Sequence, residues 1–235
     1  MKRLALLLAL TGSVLAVGAA PAGATNECDG LMVCVPVAGP WVVVPVGHAV
    51  PRPQVEWQLS CPRGYVVGGT DAELTVPAID IGFAATLGSP VSPGITTSRA
   101  IVFVGTYVGG RARGGTPPSF RPHIGCMPAS GGGRVLTSYH AVKPGKPTVR
   151  RVFAIRVRPG AQTVSKQCAA SELLTGVAHA TGFYTRDAPR TRLVASVRVT
   201  QRIRGSQVRI GITAGPEILG VRAEVQLSLV CAGGK

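Results

Sequence analysis

Six cysteines constrain this chain more than any other feature of its sequence. They all follow an apolar N-terminal segment, at Cys28, Cys34, Cys61, Cys126, Cys168 and Cys231. An even number of cysteines in an exported chain favours disulfides over metal ligands, and no CxxC pair is present. Six cysteines allow fifteen connectivities. Their grouping along the sequence favours the pairs 28–34, 61–126 and 168–231, so we expect a disulfide-stapled protein.

The first 24 residues have the layout of a secretory signal peptide. Lys2 and Arg3 precede a long apolar run, and small residues lead to a cleavage site expected before Thr25. No other stretch reaches the roughly 18 uninterrupted apolar residues of a membrane-spanning helix. The sequence therefore predicts a secreted or cell-surface protein with no transmembrane span after cleavage. Retention of the signal as an anchor is left open.

Composition and periodicity both predict an all-β fold. The chain holds 31 Gly and 19 Pro, and the helix-favouring residues Leu, Glu and Lys are scarce beside the many Val, Ile and Thr. Alternation of apolar and polar residues over 54–61 and over 222–231, where only Val230 breaks it, is typical of half-buried strands. We expect two related antiparallel β-sandwich-like modules, or one sandwich built from two similar halves.

Two pairs of segments indicate an internal repeat. Residues 41–69 resemble 151–176, since each pair of strands ends in a cysteine that a short loop and a glycine follow. Residues 80–110 resemble 209–234 in the order of their glycines and strands. Chance similarity between Gly-rich β-sequences is the alternative. The predicted organisation is listed in chain order: signal peptide 1–24, N-terminal Cys loop 25–40, first module 41–127, linker 128–148 and second module 149–235.

Residues 194–212 predict an arginine-rich β-hairpin. Gly205-Ser206 suits a two-residue type II′ turn, which places Arg202 directly opposite Arg209. Arginines then share one side of the hairpin and aliphatic residues share the other. The strand over 152–158 adds two more arginines on its own polar side. The candidate anion-binding residues are Arg156, Arg158, Arg198, Arg202, Arg204 and Arg209.

The arginine pattern has two interpretations. The formal net charge of +15 implies attraction to anionic surfaces, and guanidinium groups bind phosphate and carboxylate in a bidentate manner. An anionic envelope polymer or acidic polysaccharide is the partner expected. Nucleic acid is disfavoured because Phe153, Phe183 and Tyr184 are the only aromatic residues near the arginines. The alternative is a solvated outer surface whose basicity reflects GC-rich coding and protection of exposed strands.

No catalytic, cofactor or metal motif is present, so we predict a non-catalytic protein. His48, His123, His140 and His179 lack the spacing of metal ligands, and no serine lies in a GxSxG elbow. Glycine pairs match neither a dinucleotide nor a P-loop pattern. A hydrolase that uses carboxylates is the weaker alternative, and its candidates are Asp71, Glu73 and Asp80.

The segment "SCPRGYVVGGTDAE" resembles the CPxG...V.GG modules of uncharacterised secreted proteins of actinobacterial type. The resemblance covers ten to fifteen residues of the first module, and the corresponding "CAASELLTG" lacks both the proline and the double glycine. It implies an exported, disulfide-stapled β-module and transfers no catalytic residue. A structural or surface-display protein that mediates protein contacts is the leading alternative to anion binding.

Overall fold

The computed structural model describes residues 25–47, 49–84, 99–110, 115–129 and 148–233. The predicted signal peptide, His48, His140 and most of the predicted linker lie outside the described residues. Within the described residues the chain forms thirteen strands, one short helix and one 3-10 turn. The all-β fold class predicted from the sequence is confirmed.

The described residues contain strands from residue 35 to residue 233. In chain order they are β1 Val35–Ala38, β2 Trp41–Val43, β3 Gln54–Ser60, β4 Tyr65–Leu74, β5 Ile79–Ala84, β6 Ala100–Tyr107, β7 Ser119–Pro128, β8 Thr148–Arg156, β9 Gly160–Gln167, β10 Glu172–Tyr184, β11 Val197–Arg204, β12 Gln207–Ala214 and β13 Arg222–Gly233. Helix α1 spans Thr191–Ala195, and the 3-10 turn spans Pro216–Ile218.

Three antiparallel sheets build the fold. The large sheet has seven strands in the order β4-β7-β1/β2-β10-β13-β8, where β1 and β2 share one edge of β7. The first small sheet has the order β3-β6-β5, and the second has the order β9-β12-β11. Strand β2 pairs with both β7 and β10, so the large sheet runs without interruption through both predicted modules.

The two small sheets lie on opposite faces of the large sheet. Ala180 of β10 packs in the first core with Trp57 and Phe103, whereas Phe183 of the same strand packs in the second core with Ile210. Residues an odd number apart on one strand point to opposite faces. The second half is therefore related to the first by a 180° rotation combined with a translation. The rotation axis lies in the plane of the large sheet and is perpendicular to its strands, and the translation along this axis is three strands.

Both halves repeat one pairing pattern with one register. Ser60 opposes Ala100 in the first small sheet, and Gln167 opposes Gln207 in the second, at the residue before the first cysteine of each bridge. In the large sheet Val67 opposes Cys126 before a bulge, and Leu174 opposes Cys231 before a bulge at the corresponding place. The repeat inferred from 41–69 and 151–176 follows this pattern.

The second predicted correspondence, between 80–110 and 209–234, is displaced by one strand. It equates β6 with β13, but β6 lies centrally in the first small sheet, where β12 is its counterpart. Strand β13 instead corresponds to β7, and both carry the second cysteine of their bridge. Repeated glycines led to the misalignment because they mark turns of any hairpin.

The disulfides have the three pairings preferred from the sequence. Cys61–Cys126 and Cys168–Cys231 each join the end of a small-sheet strand to the large sheet, and all four cysteines are buried. Cys28–Cys34 closes a small loop, with Gly30 at a positive φ of 75°. Each half is therefore stapled across its own core.

Candidate anion-binding face

The arginine hairpin forms as its sequence predicts. Strands β11 and β12 pair with Arg202 opposite Arg209 and Arg204 opposite Gln207. Gly205 has a φ of 56°, and no residue other than glycine has a positive φ in the described chain. A type I′ turn would need positive φ at both central residues, so the turn belongs to type II′.

Pleating separates the hairpin into an aliphatic side and a basic side. Val208, Ile210 and Ile212 point inward and are essentially fully buried in the second core. Gln201 also lies on the inward side, where its Oε1 is 2.8 Å from Nδ1 of His179. The outward side carries four exposed arginines, and we call it the basic face; its arginines are Arg198, Arg202, Arg204 and Arg209.

Strand β9 contributes hydroxyl groups to the basic face that the sequence analysis missed. Ser165 lies opposite Arg209, and Thr163 lies opposite Gly211. Because Gly211 has no side chain, a shallow depression of about 260 Å³ opens between Thr163, Thr200 and the paired arginines. The alternating sequence of β9 could have shown that these hydroxyls share a side, but not that β9 pairs with β12.

The arginines of the basic face have no acidic partner among the described residues. Five arginines elsewhere in the described chain do have such partners, and these ion pairs are Arg121–Glu73, Arg150–Glu56, Arg151–Glu172, Arg192–Glu217 and Arg222–Glu224. Like charges directly opposite each other on a sheet are destabilising. The Arg202–Arg209 pair therefore holds an uncompensated concentration of positive charge.

Two of the six predicted anion-binding residues lie away from the other four. Ile155 and Val157 pack in the second core, so Arg156 points from the face of the large sheet opposite to the second small sheet. Arg158 lies in the connection between β8 and β9, where its backbone N–H donates to Oε1 of Gln162 at 2.8 Å. Four of the six candidate arginines thus share the basic face, whereas Arg156 lies on the large sheet because β8 pairs with β13, and Arg158 lies in a connection.

Ion pairing and burial on the large sheet shift the pKa values of Glu172 and Tyr184. The hydrogen bond from Arg151 lowers the pKa of the Glu172 carboxyl, with a further contribution from the N–H of Ala169. Burial raises the pKa of Tyr184 to about 12, and the neighbouring Glu224 carboxylate adds to this effect. Glu172 and Tyr184 already have hydrogen-bond partners, Arg151 and Glu224 respectively, so we interpret both residues as structural.

The carboxylates considered for a hydrolase are not brought together. Asp71 and Glu73 lie on β4, where Asp71 accepts the N–H of Asn26 at 2.7 Å and Glu73 lies 2.9 Å from Nε2 of His123. Asp80 lies on β5, on the outer side of the first small sheet and thus across the large sheet from the other two. Asp71 and Glu73 are therefore engaged in local contacts with neighbouring polar groups.

Comparison of the chain with protein-family models, with curated proteins and with solved structures found no match. Among the residues described, no helix has the length and apolar character needed to cross a bilayer.

Proposed function

We propose that this is a secreted, non-catalytic protein that binds anionic polymers of the cell envelope through the basic face. The observation that carries the proposal is the directly opposed pair Arg202 and Arg209, which has no carboxylate partner among the described residues. Such a pair opposes folding, so its cost is offset when an anion lies between the two guanidinium groups.

The chemistry of the depression suits a phosphate, sulfate or carboxylate group. Guanidinium groups donate hydrogen bonds in a planar fork that matches these anions. The hydroxyl of Thr163 lines the same depression and can donate a further hydrogen bond, whereas the hydroxyl of Thr200 donates to the carbonyl of Gly211 at 3.3 Å. Arg204 and Gln207 border a second, smaller depression of about 80 Å³ beside the first. Two adjacent anion positions on one face favour a ligand with repeated charges.

The spacing of the arginines favours a linear polymer over a single small anion. A rise of about 3.3 Å per strand residue separates the backbone positions of Arg202 and Arg204 by about 7 Å, and those of Arg198 and Arg202 by about 13 Å. The described part of the basic face carries no aromatic side chain on which bases could stack. The supported ligand class is therefore an acidic polysaccharide or a phosphate-containing envelope polymer.

An extracytoplasmic location supports the same ligand class. Three disulfides are compatible with an oxidising compartment outside the cytoplasm. Anionic polymers are abundant at that location, and a basic protein would meet them at high local concentration. The proposal thus combines the location with the charge of one defined face.

The test is retention of the mature chain, from residue 25 onward, on immobilised heparin and on purified envelope polymer. We expect the wild-type protein to elute only with added salt and Arg202→Glu/Arg209→Glu to elute much earlier, because each lost contact reduces counterion release. The matched control is Arg63→Glu/Arg186→Glu, which makes the same change in net charge at exposed sites outside the basic face. Equal losses in both variants would show that net charge alone governs retention and would overturn the proposal.

A further inference from the structure

Strand β11 has an open edge on the side that faces away from β12. A two-residue turn makes Arg204 and Gln207 a hydrogen-bonded pair, so alternate residues from Arg198 to Arg204 bond to β12. The backbone groups of Val197, Val199, Gln201 and Ile203 therefore point outward. Within the described ranges, no strand pairs with them. An open strand edge is a template for pairing with another strand.

An apolar cavity lies beneath this edge. It has a volume of about 260 Å³ and lies between β11, the end of β2 and the middle of β10. Valine side chains supply most of its lining, and His179 supplies a polar group; the principal residues are Val43, Val55, Val194, Val197, Val199 and His179. A strand added beside β11 would direct alternate side chains into this cavity.

The other side chains of an added strand would project outward beside the basic face. Arg198, Arg202 and Arg204 lie along β11 on that side and have no acidic partner among the described residues. Cross-strand pairs of opposite charge are stabilising, and like-charge pairs are destabilising. Pairing of β11 with β11 of a second copy would bring arginines together, so the charge pattern selects against self-association.

We propose that the open edge of β11 binds an extended peptide whose side chains alternate between apolar and acidic. The apolar side chains fill the cavity, the acidic side chains pair with the arginines of β11, and the backbone continues the ladder of the second small sheet. This site goes beyond polymer binding at the basic face because it depends on backbone hydrogen bonds at the edge.

Strand β3 shows how a side chain can bond to the outward backbone groups of a strand edge that no other described strand pairs with. The side-chain amide of Gln226 accepts the N–H of Gln58 at 2.6 Å and donates to its carbonyl at 3.0 Å, which satisfies the outward backbone groups at one residue of β3. No side chain does this for β11 within the described chain. In the first module the corresponding strand β5 carries Asp80 and Ala84 where β11 carries Arg198 and Arg202, so the described part of β5 lacks the basic pattern of β11.

The experiment measures binding of a fluorescein-labelled peptide of alternating valine and glutamate, about eight residues long to match β11. Fluorescence anisotropy compares it with a peptide of the same composition in scrambled order and with one N-methylated at alternate residues. We expect the alternating peptide to bind and the other two to bind at least about tenfold more weakly, because they lose the side-chain alternation or the ladder hydrogen bonds.

Protein variants separate this site from polymer binding. Ile203→Pro removes an outward N–H without removing a ladder hydrogen bond, and we expect it to lose the peptide while keeping retention on heparin. Ile203→Thr retains that N–H, and Gln167→Pro places proline on the opposite edge of the same sheet; both should bind the peptide. Equal binding of all three peptides, or undiminished binding by a folded Ile203→Pro, would overturn the inference. If Ile203→Pro fails to fold, the N-methylated peptide decides alone.

Discussion

The two small sheets share a topology and a register but have opposite outer faces. Position by position, Ala84 and Val102 of the first sheet correspond to Arg202 and Arg209 of the second. The residue that corresponds to Arg198 is Asp80. The outer face of the first sheet carries no arginine among its described residues, whereas the second carries four and no acid. Val102 is also buried, at 6 % exposure, where Arg209 is exposed.

This difference bears on the origin of the positive charge. A coding bias towards arginine acts on the whole chain and would enrich exposed positions of both sheets. Of these two corresponding outer faces, only the second carries arginines among the described residues, and none of its four arginines has an acidic partner there. The contrast supports a local role for the basic face, and the paired arginines of the large sheet serve as an internal reference.

The two cores differ in residue size at two packed positions, and the two differences compensate each other in volume. In the first core Gly105 lies against the ring of Phe120, and a Cβ at Gly105 would lie 2.6 Å from Cε1 of that ring. The corresponding residues in the second core are Ile212 and Val225. In the first core the small residue lies on the small sheet and the large residue on the large sheet. In the second core the residue on the small sheet, Ile212, is larger than its neighbour on the large sheet, Val225. One backbone arrangement accommodates a core with more aromatic residues in one half and a mainly aliphatic core in the other.

The largest expected effect tests whether the two long disulfides contribute equally to the free energy of unfolding. Replacing Cys61 and Cys126 by serine, or Cys168 and Cys231 by serine, should each lower the free energy of unfolding by about 4 kcal/mol in the chain-entropy description. The two losses should be similar because the bridges span 65 and 63 residues. Guanidinium titration monitored by tryptophan fluorescence and circular dichroism measures both. Losses that differ by more than about 2 kcal/mol would contradict the equivalence.

The next effect tests the compensated packing. Gly105→Ile should destabilise the protein by about 3 kcal/mol, because the new side chain collides with Phe120. Adding Phe120→Val introduces the pair found in the second core and should recover much of the loss. Thermal or chemical denaturation measures the coupling between the two substitutions. Gly82→Ala, on the open outer side of β5, is the control; purely additive losses would show that the two cores do not use the same compensation.

A smaller effect compares two glutamine amides that bridge backbone groups. Gln226→Ala should cost about 1 to 2 kcal/mol, because the backbone N–H and C=O of Gln58 lose their partners in a partly buried place. Gln162 makes the same kind of bridge, to Arg158 N–H and the Arg156 carbonyl, but in an exposed place. Water can replace it there, so Gln162→Ala should cost less than about 0.5 kcal/mol. Equal costs in denaturation would refute the role assigned to burial.

The smallest effect concerns acid stability in the second half. The pKa of Glu172 is lowered in the folded protein, so its contribution to stability is present above its unfolded value near 4.5 and is lost as the pH falls through the folded pKa. Arg151→Gln should therefore flatten the fall in stability below about pH 4.5, seen as a smaller difference in unfolding free energy between pH 7 and pH 3. The first half has Tyr65 at the position that corresponds to Glu172, so it lacks this carboxyl group. Arg121→Gln, which removes an arginine from the first half, therefore serves as the control. An unchanged pH profile for Arg151→Gln would contradict this assignment.

Features set by near neighbours in the sequence were predictable. The hairpin register follows from Gly205-Ser206 and from alternation on either side, and both are local properties. The disulfide pairs could be favoured because each bridge stays within one half. The alternation over 152–158 also correctly places Arg156 opposite to Ile155.

Features set by distant pairing were not predictable. Arg156 and Arg209 obey the same alternation, but only the pairing of β8 with β13 and of β12 with β9 assigns them to opposite sides of the protein. The hydroxyls of β9 were missed for the same reason. Alternation identifies which residues share a side of one strand, while the choice of neighbouring strand depends on the whole packed fold.

Strand β2 has a consequence for how this chain withstands cleavage. Its three residues belong to the first half in sequence, yet they are bonded on one edge to β7 and on the other to β10. Cutting the backbone between the halves would therefore leave two fragments that remain bound to each other through a common sheet. Neither fragment, produced alone, could bury this seam, so the two should fold efficiently only when they are produced together.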